Sequence, residues 1–166
     1  MAARTEWYRD NLLVSTNPSL IQPAAVNAAF GLDMMYWLKP IDETLLKTML
    51  DNSLCFGVYE LPKSSADIAG RAGPRQIGLA RLVTDRVSTA YLTDVYIMEE
   101  FQRKGIGKWL IQCVNEHVET WPEMRWTFLV TSDQIKFYEE NLGMSIYGEC
   151  RDGKIMSKMG PGDVQH

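Results

Sequence analysis

A mixed sheet covered by helices, an α/β (α+β) fold in a single domain, is the architecture this chain predicts, and three observations predict it. Strand-like and helix-like segments alternate along the length, the pattern of a sheet packed under helices. The 166 residues fit one domain of the usual roughly 100 to 200 residues, with no internal repeat and no second unit. With 46% hydrophobic and 23% charged residues the chain is neither disordered nor fibrous. A domain of this size buries roughly 70% of its extended surface, so its core stands without disulfides or a structural metal.

The elements follow in order. Asn11 to Val14 reads as a first strand. Ser19 or Pro23 opens a helix through Ala24, Val26, Ala28 and Phe30 that Gly31 stops. Asp42 sits as an N-cap before a second helix, Glu43 to Leu50, ended by Asp51-Asn-Ser53. The aromatic stretch Met34-Met-Tyr-Trp37 lies between them. Leu54 to Leu61 and Gln76 to Thr84 read as consecutive strands, joined by a turn-rich stretch from Pro62 to Pro74 that is expected to be a mobile surface loop. Ser88 to Met98, dense in β-branched and aromatic residues, is the next strand. From Gly105 to Glu119, Ile106, Trp109, Leu110, Cys113, Val114 and Val118 recur at helical spacing, which predicts an amphipathic helix. Trp126 to Thr131 is a buried strand, Asp133 caps a short helix from Gln134 to Leu142, and Gly143 ends it. Ile146-Tyr147 and Ile155 to Lys158 form closing strands. The domain is expected to span 1–159, with 160–166 a frayed tail.

Composition narrows the function. Seventeen Lys and Arg against twenty-one Asp and Glu give a net charge of −4, which leaves no basic excess to hold a phosphate backbone, so nucleic acid is not an expected partner. No apolar run is long enough for a transmembrane helix, and a membrane partner is not expected either. Cys55, Cys113 and Cys150 are odd in number and lack paired spacing, and the N-terminal residues have no apolar signal core. A reducing cytoplasmic or nucleocytoplasmic location is the expectation.

The chemistry concentrates in Gln102-Arg-Lys-Gly-Ile-Gly-Lys108, which joins a strand to the first turn of a helix. Backbone N–H groups there lack intrahelical partners and the helix dipole is positive. Gly105 and Gly107 remove the Cβ atoms that would hold a phosphate off the backbone, while Arg103, Lys104 and Lys108 add charge. A phosphorylated ligand is the direct inference; the bland alternative is a tight strand-to-helix connection. Spacing excludes two other phosphate motifs. Leu110 stands where a dinucleotide fingerprint needs its third glycine, and Trp109 follows Gly107-Lys108 where a P-loop needs Ser or Thr.

The run from Val95 to Leu110 resembles the acetyl-CoA motif of the GNAT superfamily of N-acetyltransferases, whose pattern is Gln or Arg, two residues, Gly, one residue, Gly or Ala. Gln102, Gly105 and Gly107 match it. The resemblance continues downstream in Phe137-Tyr-Glu-Glu-Asn-Leu-Gly-Met144 and upstream in Cys55 to Tyr59 and Gln76 to Ala80, covering about residues 7 to 150. The stretch after Leu61 is longer than the family's usual hairpin. The resemblance implies a mostly antiparallel mixed sheet with helices on both faces, splayed between the strand ending at Met98 and that from Trp126 to Thr131. Acetyl-CoA would lie in the splay as the acetyl donor.

On the same resemblance, backbone groups of Tyr96, Ile97 and Met98 would bond the pantetheine arm, and an N–H near Ile97 or Met98 would polarise the thioester carbonyl. Arg103, Lys104, Gly105, Ile106, Gly107 and Lys108 would hold the pyrophosphate, Gln102 belongs to the cofactor-binding set through the same motif, and Ser132 and Phe137 would touch the pantetheine or adenosine arm. Tyr138 matches the tyrosine that protonates the departing thiolate in many members; the alternative is a core aromatic. Asp94 is the first candidate for the base that deprotonates the amine, and the alternative is a structurally bonded strand residue. Strand alternation would put Asp94 with Tyr96 and Met98 and opposite Thr93, Val95 and Ile97, leaving Tyr91 and Thr93 as fallback water holders. Tyr36 and Trp37 would wall the acceptor pocket, or else pack in the core. Cys113 and His117, at i and i+4, have no further ligands near, so no metal is expected.

The resulting expectation is direct acetyl transfer from acetyl-CoA to a primary amine of a small molecule. Peptide or protein N-acetylation and a non-catalytic acyl-CoA-binding module are the alternatives. Acceptor identity, acyl length, and the choice between monomer and homodimer stay open.

Overall fold

The computed structural model describes residues 3–63, 73–150 and 153–160. Eight strands form one sheet in the order β1-β2-β3-β4-β5-β6-β8-β7. They are β1 (Glu6–Arg9), β2 (Leu12–Ser15), β3 (Leu54–Glu60), β4 (Arg75–Thr84), β5 (Thr89–Ile97), β6 (Trp126–Thr131), β7 (Ser145–Cys150) and β8 (Gly153–Met159). Neighbours run antiparallel except β5 and β6, which are parallel.

Four helices cover the sheet among the described residues: α1 (Pro23–Phe30), α2 (Glu43–Asp51), α3 (Ile106–Val118) and α4 (Ile135–Leu142). Pro23 opens α1 with a φ already suited to a helix, and Gly31 closes it. Asp42 caps α2 by accepting from the amides of Thr44 and Leu45, which stabilises the helix by about 1 kcal/mol. Two cores result. Phe30, Met35, Leu46, Leu50, Leu79 and Tyr96 pack between α1, α2 and one face. The opposite face carries Phe56, Ile77, Leu92 and Ile97 against Leu110 and Val114 of α3 and Leu142 of α4.

The structure departs from the sequence expectations in several places. The hairpin partner β1 precedes the expected first strand; only Trp7 of its four residues is buried, so it carries almost no alternation to read. Asp133 does not cap α4. The amide of Gln134 is taken by Thr131 Oγ1 at 3.1 Å instead. The closing strands are longer than expected and form an antiparallel pair. Gly160, expected to open the tail, donates its N–H to the Arg125 carbonyl at 2.8 Å. Most of the expected loop after Leu61, residues 64–72, and residues 161–166 lie outside the described residues.

Two irregularities shape the middle of the sheet. The parallel pairing of β5 with β6 covers only Thr89 to Tyr91 against Trp126 to Phe128, after which the strands part. On the other side of β5, Leu79 faces Tyr96 and Arg81 faces Thr93, so Asp94 and Val95 together oppose Ala80 in a β-bulge. Asp94 holds φ 50°, a left-handed conformation. The bulge resets the alternation: Thr93 and Tyr96 share the α1–α2 face, while Val95 and Ile97 turn toward the core under α3. Thr93 is therefore on the Asp94 side of the strand, opposite to the expectation from strict alternation.

Candidate active site

Where β5 and β6 part, two adjoining cavities open. The larger, about 490 Å3, runs from Val95, Tyr96 and Ile97 of β5 to Gly105, Gly107 and Lys108 at the start of α3 and Phe137 of α4. The smaller, about 290 Å3, is lined by Tyr91, Thr93 and Asp94 of β5, Thr131 at the end of β6, and Ser132 and Asp133 beyond it. Tyr36, Trp37, Val95, Asp133, Gln134 and Tyr138 border both, so the cavities meet at these side chains.

The turn into α3 is built to expose backbone N–H groups. The first intrahelical bond runs from Trp109 N to Gly105 O, so the amides of Ile106, Gly107 and Lys108 have no partner within the helix. Gly105 takes φ 73° and Arg103 φ 60°, a left-handed geometry that glycine adopts freely and that costs a non-glycine residue about 1 kcal/mol or more. A Cβ on Gly107 would have only Ile97 near it, at 3.9 Å, and would point no clash at the protein. Gln102 fixes the strand end to this turn, its Nε2 donating to the Ile97 carbonyl at 2.8 Å. Arg9, from the strand that the sequence pattern does not disclose, braces the turn by donating to the carbonyls of Lys104 and Gly105.

Met98 N donates to Ile77 O at 2.8 Å, so its amide is committed to the sheet. An antiparallel ladder uses alternate residues on each edge, so the N–H and C=O of Ile97 point into the splay. Of the two amides expected to face a thioester, Ile97 is the one with this direction.

Tyr138 is buried, and its ring stands edge-on to Phe137 at 5.1 Å. Burial, reinforced by the charge of Asp133, pushes its phenol up to about 12, so the hydroxyl stays protonated at neutral pH. Asp94 is buried too. Its Oδ2 accepts from Arg81 Nε at 2.7 Å and its Oδ1 from Thr93 Oγ1 at 3.2 Å, while Arg81 Nη1 continues to Ser53 Oγ at 3.0 Å. The structural alternative for Asp94 is thus real, yet its residue still lines the smaller cavity.

Several other candidates are relocated. Lys104 turns away from the cavities; its Nζ donates to the Glu100 carbonyl and lies 5.3 Å above the Phe101 ring. Met98 borders neither cavity, and Ser132 stands on the smaller one, its Oγ 3.0 Å from the Tyr36 hydroxyl. Tyr36 and Trp37 are not core residues: they remain 69% and 52% exposed and meet edge to face at 4.9 Å. Met34 and Gln134, lining residues that no motif marks, complete the walls. His117 is a core histidine, its Nδ1–H donating to Arg4 O at 2.8 Å among Trp7, Phe56 and Trp121. Burial raises the Cys113 thiol to about 12 and leaves it inert.

A splayed mixed sheet with a glycine turn at the mouth of the splay defines an acyltransferase of the acetyl-CoA type. Residues 32–144 match the acetyltransferase (GNAT) family. A Gibberella zeae protein named, by inference, an acetyltransferase is 40% identical over 96% of this chain and 95% of its own length. The chain belongs to the GNAT acetyltransferase family, whose members use acetyl-CoA. A GNAT-family structure from Xanthomonas campestris pv. campestris is 28% identical, with a TM-score of 0.66 over 83% of this chain and 87% of that one. Spermidine N-acetyltransferase from Vibrio cholerae, with CoA and spermine, shares the fold at 17% identity and a TM-score of 0.63, covering 91% and 96% of the two chains. A ribosomal-protein alanine N-acetyltransferase from Escherichia coli does so at 17% identity and 0.58, covering 89% and 93%. Among the described residues no helix is long and apolar enough to cross a membrane.

Proposed function

We propose that the chain transfers an acetyl group from acetyl-CoA directly to the primary amine of a small molecule. The observation that carries this is the segregation of charge between two cavities that meet at Tyr138. Arg103 and Lys108 line only the larger cavity, beside the free amides of α3, Asp94 lines only the smaller one, and Asp133 borders both at the junction. Phosphates and a cationic amine are thereby sorted to opposite sides of one junction.

Acetyl-CoA, when bound, supplies the acyl group as an activated thioester. The amides of Ile106, Gly107 and Lys108, with Arg103 and Lys108, would hold its pyrophosphate, and Tyr96, Ile97 and Phe137 would flank its arm. The Ile97 N–H would donate to the thioester oxygen as negative charge gathers there. Asp94 would draw the acceptor ammonium and take its proton through a water seated on Thr93, whose hydroxyl proton is already given to Asp94. Tyr138 would hold a proton over the sulfur and release it to the leaving thiolate. Juxtaposing the two reactants supplies several kcal/mol, on the order of half the acceleration such enzymes need. Tyr36 and Trp37 wall the acceptor side, with the Tyr36 hydroxyl 3.0 Å from Ser132 Oγ across the opening, which supports a small molecule over an extended peptide.

The test is thiol release from acetyl-CoA with amine panels and peptides, with mass spectrometry of the acetylated product. Amine-dependent release with a small molecule is expected. Release that occurs only with peptides would overturn the acceptor, and CoA binding without any transfer would leave the chain an acyl-CoA-binding module.

A further inference from the structure

Resting on the transfer reaction proposed above, we infer that the acceptor is an arylalkylamine: a primary amine on a short aliphatic chain that ends in an aromatic ring and carries no carboxylate. Charge is the first argument. The side chains lining the smaller cavity include the carboxylates of Asp94 and Asp133, and none of them is Lys, Arg or His. Arg81, the nearest cation behind Asp94, spends its guanidinium on Asp94 and Ser53. An ammonium is welcome here. A carboxylate one carbon from it, as in an amino acid, would meet two like charges and no counter-ion.

Aromatic surface is the second argument. Tyr91 gives the cavity an aromatic floor at the last paired position before the strands part, and its ring is held by stacking on Phe128, outside the lining, at 5.1 Å with 23° between the rings. Tyr36 and Trp37 stand at the same cavity, and the Tyr36–Ser132 hydrogen bond ties this wall to the far side of the opening. Trp and Tyr rings left half or more exposed at a cavity are unfilled contact area, and a ligand ring placed on them is held by stacking and burial.

The surroundings discriminate among cationic acceptors. Next to the floor, Val83 lies directly across the ladder from Tyr91, and Val130 lies two residues beyond Phe128; both are exposed. Beyond Tyr91 the acceptor tail therefore meets apolar sheet, and past Asp94 and Asp133 no further carboxylate among the described residues lines the cavity for the third ammonium of a polyamine.

The experiment compares kcat/KM for tryptamine and 2-phenylethylamine with that for L-tryptophan, L-phenylalanine, spermidine and a peptide with a free N-terminal alanine. The two arylalkylamines are expected to exceed their carboxylated counterparts by about a hundredfold and spermidine by at least about tenfold. Trp37→Ala and Tyr91→Leu are each expected to raise KM for tryptamine by about tenfold while kcat changes less than about twofold. Transfer to spermidine, the amino acids or the peptide at rates equal to or above the arylalkylamines overturns the acceptor class and leaves the transferase reading standing. Absence of transfer to any of them, with CoA raising the melting temperature, overturns the acceptor class, and the transferase reading falls with it only if the wider amine and peptide panels are also silent.

Discussion

Arg81 Nε donates to Asp94 Oδ2 at 2.7 Å between side chains only 12% and 5% exposed, and the same aspartate sits at the bulge that points β5 into the splay. The pair joins the stability of the sheet to the chemistry of the acceptor cavity. Removing one partner strands the other charge: Arg81→Met is expected to cost about 3 to 5 kcal/mol, read by urea denaturation, and the double variant Arg81→Met with Asp94→Asn should recover a substantial part. A loss below about 1 kcal/mol in the single variant would mean the pair is solvated. For catalysis, Asp94→Asn should lower kcat/KM most at low pH, where the amine is protonated, and least at high pH. A loss uniform across pH would assign Asp94 to binding or structure.

Gly107 separates cofactor binding from folding. Its absent Cβ faces open space beyond Ile97, so a side chain there meets the ligand and not the protein. Gly107→Glu is expected to fold with a melting temperature within a few degrees of the parent, and to lose the CoA-dependent thermal shift by adding negative charge at the anion site. An undiminished CoA shift in this variant would show that the phosphates bind elsewhere.

Local signals made the turn legible and tertiary ones did not. Gln102, Gly105 and Gly107 act through a turn that the chain completes within six residues, and α3 announces itself through helical spacing, so both were readable from the letters alone. The bulge at Asp94 exists only in register with β4, and no strand pattern encodes that partner. Proximity in sequence places Lys104 with the phosphates, but a flexible stem lets its head reach Glu100 O and the Phe101 ring. Thr131 and Asp133 both offer an oxygen near the start of α4, and backbone geometry chose the first. The Tyr36–Ser132 link joins elements far apart in the chain and had no local trace.

Tyr59 is fully buried, and its hydroxyl has no hydrogen-bond partner among the described residues. An orphaned buried hydroxyl is a cost that phenylalanine does not carry. Tyr59→Phe is expected to leave stability unchanged or raise it by about 1 kcal/mol, measured by urea midpoint. A clear destabilisation would reveal a bound water on that oxygen.

Alkaline pH should weaken the fold earlier than acid chemistry alone suggests. Burial raises the Cys55 thiol to about 11 and the Cys113 thiol to about 12, and it raises the phenols of Tyr59 and Tyr96 as well. In the unfolded chain thiols titrate near 8.5 and phenols near 10, as approximate values. The folded state thus binds more protons over this range, so the stability these groups contribute is complete below about pH 8 and falls as pH rises toward 12. The urea midpoint is expected to decline between pH 8 and 10.5, and Cys113→Ala should flatten the decline. Parallel pH slopes for parent and variant would remove Cys113 from the linkage.

Tyr138 gives the sharpest test of the chemistry, because its structural and chemical roles lie on different atoms. The ring packs in the core under α4 beside Phe137, and no hydrogen bond of the hydroxyl to another described residue supports the fold. Tyr138→Phe preserves the ring, so the melting temperature and the CoA dissociation constant should stay near the parent's. The missing proton should lower kcat by about 10²-fold, the order of magnitude of a general acid. Since burial holds the phenol near 12, the parent should show no alkaline fall in kcat from Tyr138 below about pH 10, and the variant's pH profile should have the same shape at a lower level. Wild-type kcat in Tyr138→Phe, or joint loss of CoA binding and stability, would make Tyr138 a packing residue and leave the thiolate to be protonated by water.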